Sequence, residues 1–565
     1  MKTNAFFKSA LAVCALPLFF SCGQEELAES GSDAKRAMVV KVTENGFSAV
    51  SDTDSRVIDE GYATVFENED QIGLFIIENE TGKLLQNMTL TKNGANWEGT
   101  VYYYDNADYI AYYPYDAELK EVASVEDIEK YFSDNKYTDN QSTEENYRNC
   151  DLMTAVVEAE SLTETSPLNL NFTHNNALVE FNIPYYSYST GADGAGYRYS
   201  VPVDLSLELT KGDETTVVEG FKPYQVAVGK YRVIVPVGEK LTFKGKFTDA
   251  KINKPVNITA PIEAGLAANA GQIYNVEYEY SPKVGVVEQR AIQPGDYYYA
   301  DGNIVPKEFA VVPKENCIGV VFATTTKGET APDGTICSNG YVMALVGATA
   351  KNSPITSAWD YYWGKNNLSI EGLNTVAVTS FNDTELAVAI QNNDYTGLDN
   401  TTLLIENDPY TQPSQNNYIN DAVLTFGDAE QYTSIYAAPQ KTTGWFIPTA
   451  YQFTQIIKNL GADESGKFTK SDGVSTITQD EYDGTQKILT DAPFTKINGL
   501  IEDLGGTIAT NKSFWTSTIV SNTTITAPVY FNISSAKGNF VAKEIADNET
   551  SSNNNKRNVR LILAF

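Results

Sequence analysis

Few residues in this chain could do acid–base or nucleophilic chemistry. It contains one histidine, His174, among 565 residues. A single imidazole excludes most catalytic triads, most zinc sites and acid–base pairs built on histidine. Cys150 has no neighbouring histidine to activate it, so we interpret it as a buried small residue. We therefore expect no catalytic residue, no metal site and no cofactor.

Carboxylates are plentiful, with 73 Asp and Glu against 41 Lys and Arg and a formal net charge of −32. Some close pair always exists in so acidic a chain. A glycosidase, however, needs two carboxylates about 5–9 Å apart, which sequence spacing does not establish. The negative charge repels phosphate backbones and so excludes nucleic-acid binding through a basic patch. We expect a protein that is not an enzyme and has no nucleic-acid partner.

The N-terminus has the pattern of an export signal. Two lysines precede the apolar run Ala10–Phe20, which is shorter than the ~20 residues that span a bilayer. Ser21 then lies directly before Cys22, as in a bacterial lipobox. We predict a signal peptide over residues 1–21, lipidation of Cys22 and an acidic tether over residues 22–36. Ordinary signal cleavage that leaves Cys22 as a free thiol is the alternative.

Two further groups could form a bond or a binding surface. Cys317 and Cys337 could pair in an oxidising compartment, although their spacing alone does not establish it. A short aromatic cluster offers flat faces for stacking on sugar rings or on a protein partner; its members are Trp359, Tyr361, Tyr362 and Trp363. The alternative is that the two tryptophans, at i and i+4, pack inward. Asn392–Asp394 and Asp399–Asn400 offer oxygen atoms but lack ordered calcium-ligand spacing, so we expect solvated turns there.

The elements that would position these residues are strands over residues 37–282. Alternation of apolar and polar residues predicts strands at Leu205–Leu209 and Leu241–Phe247. One helix is predicted at Ser124–Phe132, and the polar stretch Ser133–Asn149 is predicted to be a surface loop. The 35 Tyr and 25 Phe suit such a β-rich chain.

From about Pro282 the pattern changes to mixed α and β. Thr449 and Gln452 form a capping box before a helix with apolar residues at i, i+3, i+4 and i+7, and Gly461 is placed to end it. The same spacing recurs from Ile497 to Leu504. These stripes predict core faces in a separate α+β domain.

Phrases in the N-terminal half resemble the fimbrillin family, the lipoprotein subunits of type V pili of Gram-negative anaerobes. They occur in the order Phe66–Phe75, Asn93–Trp97, Ala111–Tyr115, Asp151–Met153 and Leu170–Phe181. The usual Gly-Asp before Ile-Gly is here Glu69-Asp70-Gln71. His174 lies inside the last phrase, and we predict that it makes a structural hydrogen bond.

The resemblance implies two tandem transthyretin-like β-sandwich domains, over residues 37–185 and 186–282. It also implies that a trypsin-like protease cuts after an arginine near the N-terminus and that the released first strand is replaced by a strand of another subunit. Here Arg56 is the candidate cleavage site, and an uncut hairpin with an exposed Arg56 is the alternative. The candidate displaced strand contains Met38, Val39, Val40 and Val42.

The C-terminal half, residues 283–565, is similar to bacterial surface domains with a C-type-lectin-like fold. The resemblance rests on Gly444–Thr449, Phe514–Thr518, Ala527–Phe531 and Asn558–Phe565, with opening strands at Ile318–Phe322 and Gly340–Leu345. In this reading Trp445 and Trp515 are core aromatics. The expected fold class is therefore mostly β: two sandwiches followed by an α+β lectin-like domain.

The expected function follows from this combination. The sequence ends in what reads as a closing strand, which leaves no spare donor strand and suits a tip adhesin of a fimbrium. Its partners would be other fimbrillin subunits, by β-strand addition, and a host or bacterial surface glycan or protein. Before assembly a lipid would anchor it to the outer membrane. The alternative is a non-polymerising surface lipoprotein that binds glycans.

Overall fold

The computed structural model describes residues 36–49, 65–212, 216–238, 240–261, 269–277, 287–348, 361–364, 366–391, 395–407, 418–426, 437–508, 512–545 and 556–565. The chain divides into two compact units. Unit 1 comprises the segment up to Thr43 together with Phe66–Ser124 and Ala155–Asn171. Unit 2 comprises Glu44–Val65, Val125–Thr154 and Phe172–Phe565.

The strands of the N-terminal half are β1 (Val40–Glu44), β2 (Ser48–Ala49), β3 (Gln71–Glu78), β4 (Leu84–Asn93), β5 (Asn96–Glu98), β6 (Ala107–Tyr113), β7 (Met153–Val157), β8 (Leu168–His174), β9 (Ala177–Asn182), β10 (Ser187–Ser189), β11 (Arg198–Ser200), β12 (Leu205–Lys211), β13 (Thr216–Val217), β14 (Tyr224–Ala227), β15 (Lys230–Val235), β16 (Leu241–Asp249), β17 (Lys254–Pro261) and β18 (Gln272–Glu277). The strands of the C-terminal half are β19 (Val287–Gln289), β20 (Tyr297–Tyr299), β21 (Ile304–Val305), β22 (Cys317–Ala323), β23 (Glu329–Thr330), β24 (Ile336–Cys337), β25 (Tyr341–Ala344), β26 (Tyr361–Tyr362), β27 (Thr375–Ala377), β28 (Lys467–Thr469), β29 (Thr476–Thr478), β30 (Ile488–Leu489), β31 (Phe514–Ser521), β32 (Thr526–Ser534), β33 (Lys537–Ala542), β34 (Lys556–Arg557) and β35 (Ile562–Ala564). The helices are α1 (Val125–Asn135), α2 (Glu144–Cys150), α3 (Asp383–Gln391), α4 (Gly397–Glu406), α5 (Ile419–Phe426), α6 (Ala450–Gly461) and α7 (Asp491–Ile501).

Unit 1 is built on a seven-stranded sheet in the order β1-β8-β7-β6-β3-β4-β5. Strand β3, inside this sheet, is buried almost throughout and pairs antiparallel with both β4 and β6. Gly73 in β3 lies opposite Tyr112 in β6, and the ring of Tyr112 occupies the space that a side chain at this glycine would need. The two edge strands of this sheet are β5 and β1, and β1 is the first strand that the structure describes.

Unit 2 begins with a β-sandwich. One sheet has the order β13-β12-β16-β17 and the other β14-β15-β9-β18-β2. Apolar side chains from both sheets form one buried cluster that includes Phe181, Val233, Phe243 and Ile258. The two strands predicted from alternation, β12 and β16, pair antiparallel with each other, as that pattern favours.

Strand β9 pairs across the expected boundary at residue 185. It lies inside the predicted first domain, residues 37–185, yet it pairs with β15 and β18 in the second sandwich. Pairing and packing also cross the expected boundary after residue 282. Tyr188 and Tyr199 belong to the same buried cluster as the C-terminal residues, and β10 pairs in parallel with β19.

The rest of unit 2 combines two five-stranded sheets with helices α3 to α7. The sheet orders are β21-β20-β22-β25-β35 and β27-β31-β32-β33-β30. The predicted helix at Thr449 is confirmed: it is α6, the Thr449–Gln452 capping box is present in full, and Phe453, Ile456 and Ile457 are buried. Trp445 and Trp515 are buried in this core, as predicted.

Of two local predictions before residue 150, one is confirmed and the other differs from the structure. The helix predicted at Ser124–Phe132 is confirmed as α1, but the predicted surface loop Ser133–Asn149 contains most of α2. The hydroxyl of Thr143 caps α2 by accepting a hydrogen bond from the backbone of Asn146, a local signal that the polar composition conceals. Among the described residues, no helix is long and apolar enough to cross a bilayer.

Candidate functional site

The first eight residues of the N-terminal segment, residues 36–49, belong to unit 1, and the rest belong to unit 2. In unit 1 the amide of Met38 donates to the carbonyl of Val101 over 2.8 Å, and the amide of Leu168 donates to the carbonyl of Val39 over 2.8 Å. The side chains of Val40 and Val42 are half-buried, whereas Val39 is 67% exposed. The segment therefore pairs as an edge strand with one face turned inward.

In unit 2 the same segment continues along a second sheet. The amide of Asn45 donates to the carbonyl of Phe172, and the amide of Ser48 donates to the carbonyl of Gly271. Ser48 and Ala49 then pair in parallel with Gln272 and Ile273 of β18. This short pairing places β2 at the edge of its sheet.

The predicted structural role of His174 is confirmed, and the structure adds a partner on the N-terminal segment. Nδ1 of His174 lies 2.7 Å from Oδ1 of Asp151, and Nε2 lies 3.0 Å from Oε1 of Glu44. The imidazole is fully buried, and the side chains of Asp151 and Glu44 are 12% and 7% exposed. A ring with an acceptor at each nitrogen is a buried cation held between two carboxylates.

The protonation of His174 follows from its surroundings. Burial alone would lower the pKa of His174, but the charge and hydrogen bond of Asp151, joined by those of Glu44, raise this pKa to about 9. The imidazole is therefore protonated at neutral pH and donates a hydrogen bond from each nitrogen.

Phe47 completes the site from the same segment. Its ring stacks on the imidazole of His174 with a centroid distance of 3.7 Å and an interplanar angle of 21°. Phe47 also belongs to a small buried cluster with Cys150, Leu178, Ile234 and Ile273. We name Glu44, Phe47, Asp151 and His174 the histidine site.

Through this arrangement, His174 and Asp151 hold Glu44 and Phe47 of the N-terminal segment. The only thiol near it, among the described residues, is that of Cys150, whose sulfur exchanges hydrogen bonds with the backbone of Thr138. Burial raises the pKa of Cys150 to about 11, so this thiol is protonated and inert at neutral pH. This agrees with its interpretation as a buried small residue.

Sequence reasoning missed Glu44 and Phe47. The available signal was a carboxylate, Glu44, directly after the segment Val39–Thr43, which is rich in β-branched residues, and an aromatic ring three residues further on. The candidate displaced strand, by contrast, does lie at a sheet edge, with Met38, Val40 and Val42 half-buried. Cys22 and Arg56 lie outside the described residues.

The sequence left open whether Cys317 pairs with Cys337, and the structure does not show this bond. Cys317 and Cys337 are both free and buried. Each sulfur has its own backbone acceptor, the carbonyl of Gly319 for Cys317 and that of Lys441 for Cys337. Cys317 lies in β22 and Cys337 in β24, which belong to different sheets, so closeness in the sequence does not bring the two sulfur atoms together as a bond.

The predicted aromatic binding cluster is also corrected. Tyr361, Tyr362 and Trp363 are 0%, 5% and 0% exposed, so their faces are not open to a ligand; Trp359 lies outside the described residues. Strand β26 pairs with β34, and Nε1–H of Trp515 donates to the carbonyl of Tyr361 over 2.8 Å. These contacts hold the described members inside the core, which was the inward-packing alternative.

The candidate calcium loops divide in the same way. Asn392–Asp394 lies outside the described residues. Asp399 forms an exposed ion pair with Lys327, and the side chain of Asn400 bonds to the backbone of Asn374 and Ser517. In the part of the chain that the structure describes, no group of His, Cys, Asp and Glu is arranged to hold a metal ion.

Comparison with known proteins places these features in context. Over 521 residues the chain is 26% identical to a protein of Bacteroides ovatus named as the fimbrium tip subunit Fim1C, with 85% of this chain and 91% of the relative covered. A crystal structure of a fimbrial protein from Bacteroides ovatus matches the fold with a TM-score of 0.50 at 21% identity, covering 94% of this chain and 100% of that one. Residues 55–293 match the family model described as fimbrillin-like.

Proposed function

We propose that this chain is a fimbrium tip subunit that assembles by strand exchange. Cleavage after Arg56 frees the first strand, which contains Met38, Val39, Val40 and Val42. An extended strand of another fimbrillin subunit then binds along the vacated sheet edges. The C-terminal region, residues 283–565, contacts a host or bacterial surface glycan or protein, and the proposal contains no catalytic step.

One observation carries the proposal: residues 36–49 already bind as an added strand would. Their hydrogen bonds to other strands run through backbone amides and carbonyls, such as those of Met38 and Ser48. Their inward side chains alternate along the segment from Met38 to Glu44. Backbone pairing gives affinity and alternate side chains give specificity when a peptide adds to a sheet edge. A second strand of similar pattern could take the same place.

The position at the tip is supported by two further facts. A relative that matches most of this chain is named as a fimbrium tip subunit. In addition, β35 is buried and pairs with β25 of its own sheet, so that strand is engaged within its own unit. We propose a C-type-lectin-like fold for residues 283–565 and two transthyretin-like sandwiches before it.

The same proposal includes the route to the surface. Cys22 is acylated after removal of residues 1–21, and the lipid holds the subunit on the outer membrane until cleavage after Arg56 detaches it from the anchor. A cut after Arg56 would also separate the tether, residues 22–36, from the folded chain.

The test compares two arginine variants in the cells that produce the protein. Arg56→Ala should keep the protein at the outer membrane with its lipid, and it should be missing from purified fimbriae. Arg36→Ala is the matched control, because Arg36 is also a potential trypsin-like site but lies before the strand that must leave; this variant should assemble normally. The readouts are the N-terminal residue by mass spectrometry and immunogold labelling of fimbriae.

The expected result is an N-terminus at Val57 in assembled protein and label confined to fimbrial tips. Label spread along every shaft would contradict the tip position. Normal assembly of Arg56→Ala, or an assembled protein that still begins at lipidated Cys22, would contradict strand exchange and favour a static surface lipoprotein.

A further inference from the structure

Any strand that replaces the N-terminal segment must lie against the histidine site, where the segment makes two side-chain contacts with His174. His174 and Asp151 belong to the folded body of unit 2, whereas Glu44 and Phe47 arrive on the segment that the proposed exchange removes. When that segment leaves, Nε2–H of His174 loses its acceptor and the imidazole loses the ring stacked on it. The incoming strand must restore both contacts or leave them unmade.

The first contact has a defined chemistry. The side chain of His174 is fully buried, and its Nε2 lies 3.0 Å from a carboxylate oxygen of Glu44. The raised pKa of His174, about 9, agrees with this geometry. A buried donor without an acceptor is costly, and a buried cation needs opposite charge nearby. An acidic side chain meets both requirements, an amide meets only the first, and an apolar side chain meets neither.

The second contact has a defined size. Phe47 is 7% exposed and fills the space between the imidazole of His174 and the cluster of Cys150, Leu178 and Ile273. A small side chain there would leave a cavity that the rigid core fills only in part. A large aromatic side chain both fills the space and stacks on a cation.

The spacing between the two contacts is specific. In one continuous strand, residues three apart point to opposite faces. Glu44 ends β1 and Phe47 directly precedes β2, and the chain changes from one sheet to the other between them, so both side chains reach the same imidazole. The burial pattern records this change, because the alternation of β1 gives way to the buried Phe47.

We propose that the histidine site selects the incoming strand, and that the strand which binds here carries a carboxylate and, three residues further on, a large aromatic side chain. This inference rests on the proposed strand exchange. It identifies the partner by chemistry, as a subunit whose donor strand has an acidic residue followed at that distance by an aromatic one.

The test uses the full chain cut after Arg56 and a fluorescent synthetic peptide with the sequence of residues 36–49 as the probe. Binding is measured as release of the native N-terminal fragment and as anisotropy. An E44A peptide should bind about 10- to 100-fold more weakly, and an F47A peptide at least about 100-fold more weakly. An E44Q peptide should lie between E44A and the unchanged peptide.

A V39A peptide is the matched control, since Val39 is 67% exposed, and it should bind within about twofold of the unchanged peptide. All substitutions are in the probe, so the folding of the protein is not at risk. A second readout uses the single histidine of the chain, whose imidazole gives one NMR titration curve in tag-free protein. Its pKa should be near 9 with the unchanged peptide and lower with the E44A peptide.

The outcomes separate the two proposals. If no peptide, including the unchanged one, replaces the native fragment, strand exchange itself fails. If the unchanged peptide binds but the E44A and F47A peptides bind equally well, strand exchange stands and selection by the histidine site is wrong. An imidazole pKa that is the same with every peptide would also overturn the selection, because His174 would then not sense the bound strand.

Discussion

The N-terminal segment, residues 36–49, and strand β35 both end the order of a sheet, yet they are bound in different ways. The segment has a half-buried face and an exposed face, and Phe47 is its one large apolar residue that is buried among the described side chains. Every residue of β35 is buried. Beyond its pairing with β25, Ile562 exchanges two backbone hydrogen bonds with Phe446, and the amide of Ala564 donates to the hydroxyl of Thr443.

This difference separates an edge that is available from one that is covered. An uncovered edge offers its backbone to another strand, and folded proteins normally cover or shorten such edges. Residues 443–446 cover β35, so its exchange would require opening the core of unit 2. Exchange of residues 36–49 would break only the backbone pairing at the sheet edges and the side-chain contacts of Glu44 and Phe47 with His174.

The largest expected effect tests the covered edge. Ile562→Ala removes a fully buried side chain and should lower the free energy of unfolding by about 2–5 kcal/mol. Its matched control, Val39→Ala, removes methyl groups that are 67% exposed on the N-terminal segment and should change stability by less than about 0.5 kcal/mol. Urea denaturation followed by tryptophan fluorescence measures both. Equal losses in the two variants would contradict the distinction between the edges.

The elements of unit 2 show how much of this fold the sequence could predict. Helix α6 was predictable because its capping residues and its apolar spacing are local. The sheet that β9 joins was not, because β9 follows β8 after a short turn at Asn175–Asn176 but pairs with β15 and β18. Adjacent strands usually pair with each other, and only tertiary packing decides otherwise.

The candidate site divides along the same line. The family resemblance identified the segment with Met38, Val40 and Val42 as the first strand. The pairing of Glu44 with His174 joins residues 130 positions apart, so no local pattern could reveal it. The buried aromatics Tyr361 and Trp363 show the converse error: a cluster that looks suited to a ligand is in fact held inward by pairing with distant strands.

A pH titration of His174 tests whether the N-terminal segment and β35 differ in what holds them. The folded pKa of His174 is raised from 6.5 to about 9, so its stabilising contribution is fully present below pH 6.5 and is lost as the pH rises through 9. Asp151 stays beside His174 when the segment opens, so the segment's local stability should lose only the part of this contribution that Glu44 makes, between pH 6 and pH 9.5. Native-state hydrogen exchange at Asn45 and Ser48 measures this loss. The amides of Ile562 and Ala564 should not share this dependence.

The control for the titration is Glu44→Gln, which keeps a hydrogen-bond acceptor but removes one charge. Its imidazole should titrate at a lower pH, and the loss of local stability should move with it. If the local stability at Asn45 fell with pH in the same way in both proteins, the dependence would belong to another group, and the segment would not be held by the charge on His174.

The smallest expected effect concerns the exposed face of the segment. The hydroxyl of Thr43 lies 2.5 Å from Oδ1 of Asn171, and this contact is open to solvent. Water can replace it, so Thr43→Ala should change the free energy of unfolding by less than about 0.5 kcal/mol and leave hydrogen exchange at Ser48 unchanged. A loss above about 1 kcal/mol would mean that the outward face also holds the segment. A small effect of Thr43→Ala would show that the outward face of the segment adds little to its binding. Recognition of a replacing strand would then depend on the inward contacts, chiefly those of Glu44 and Phe47.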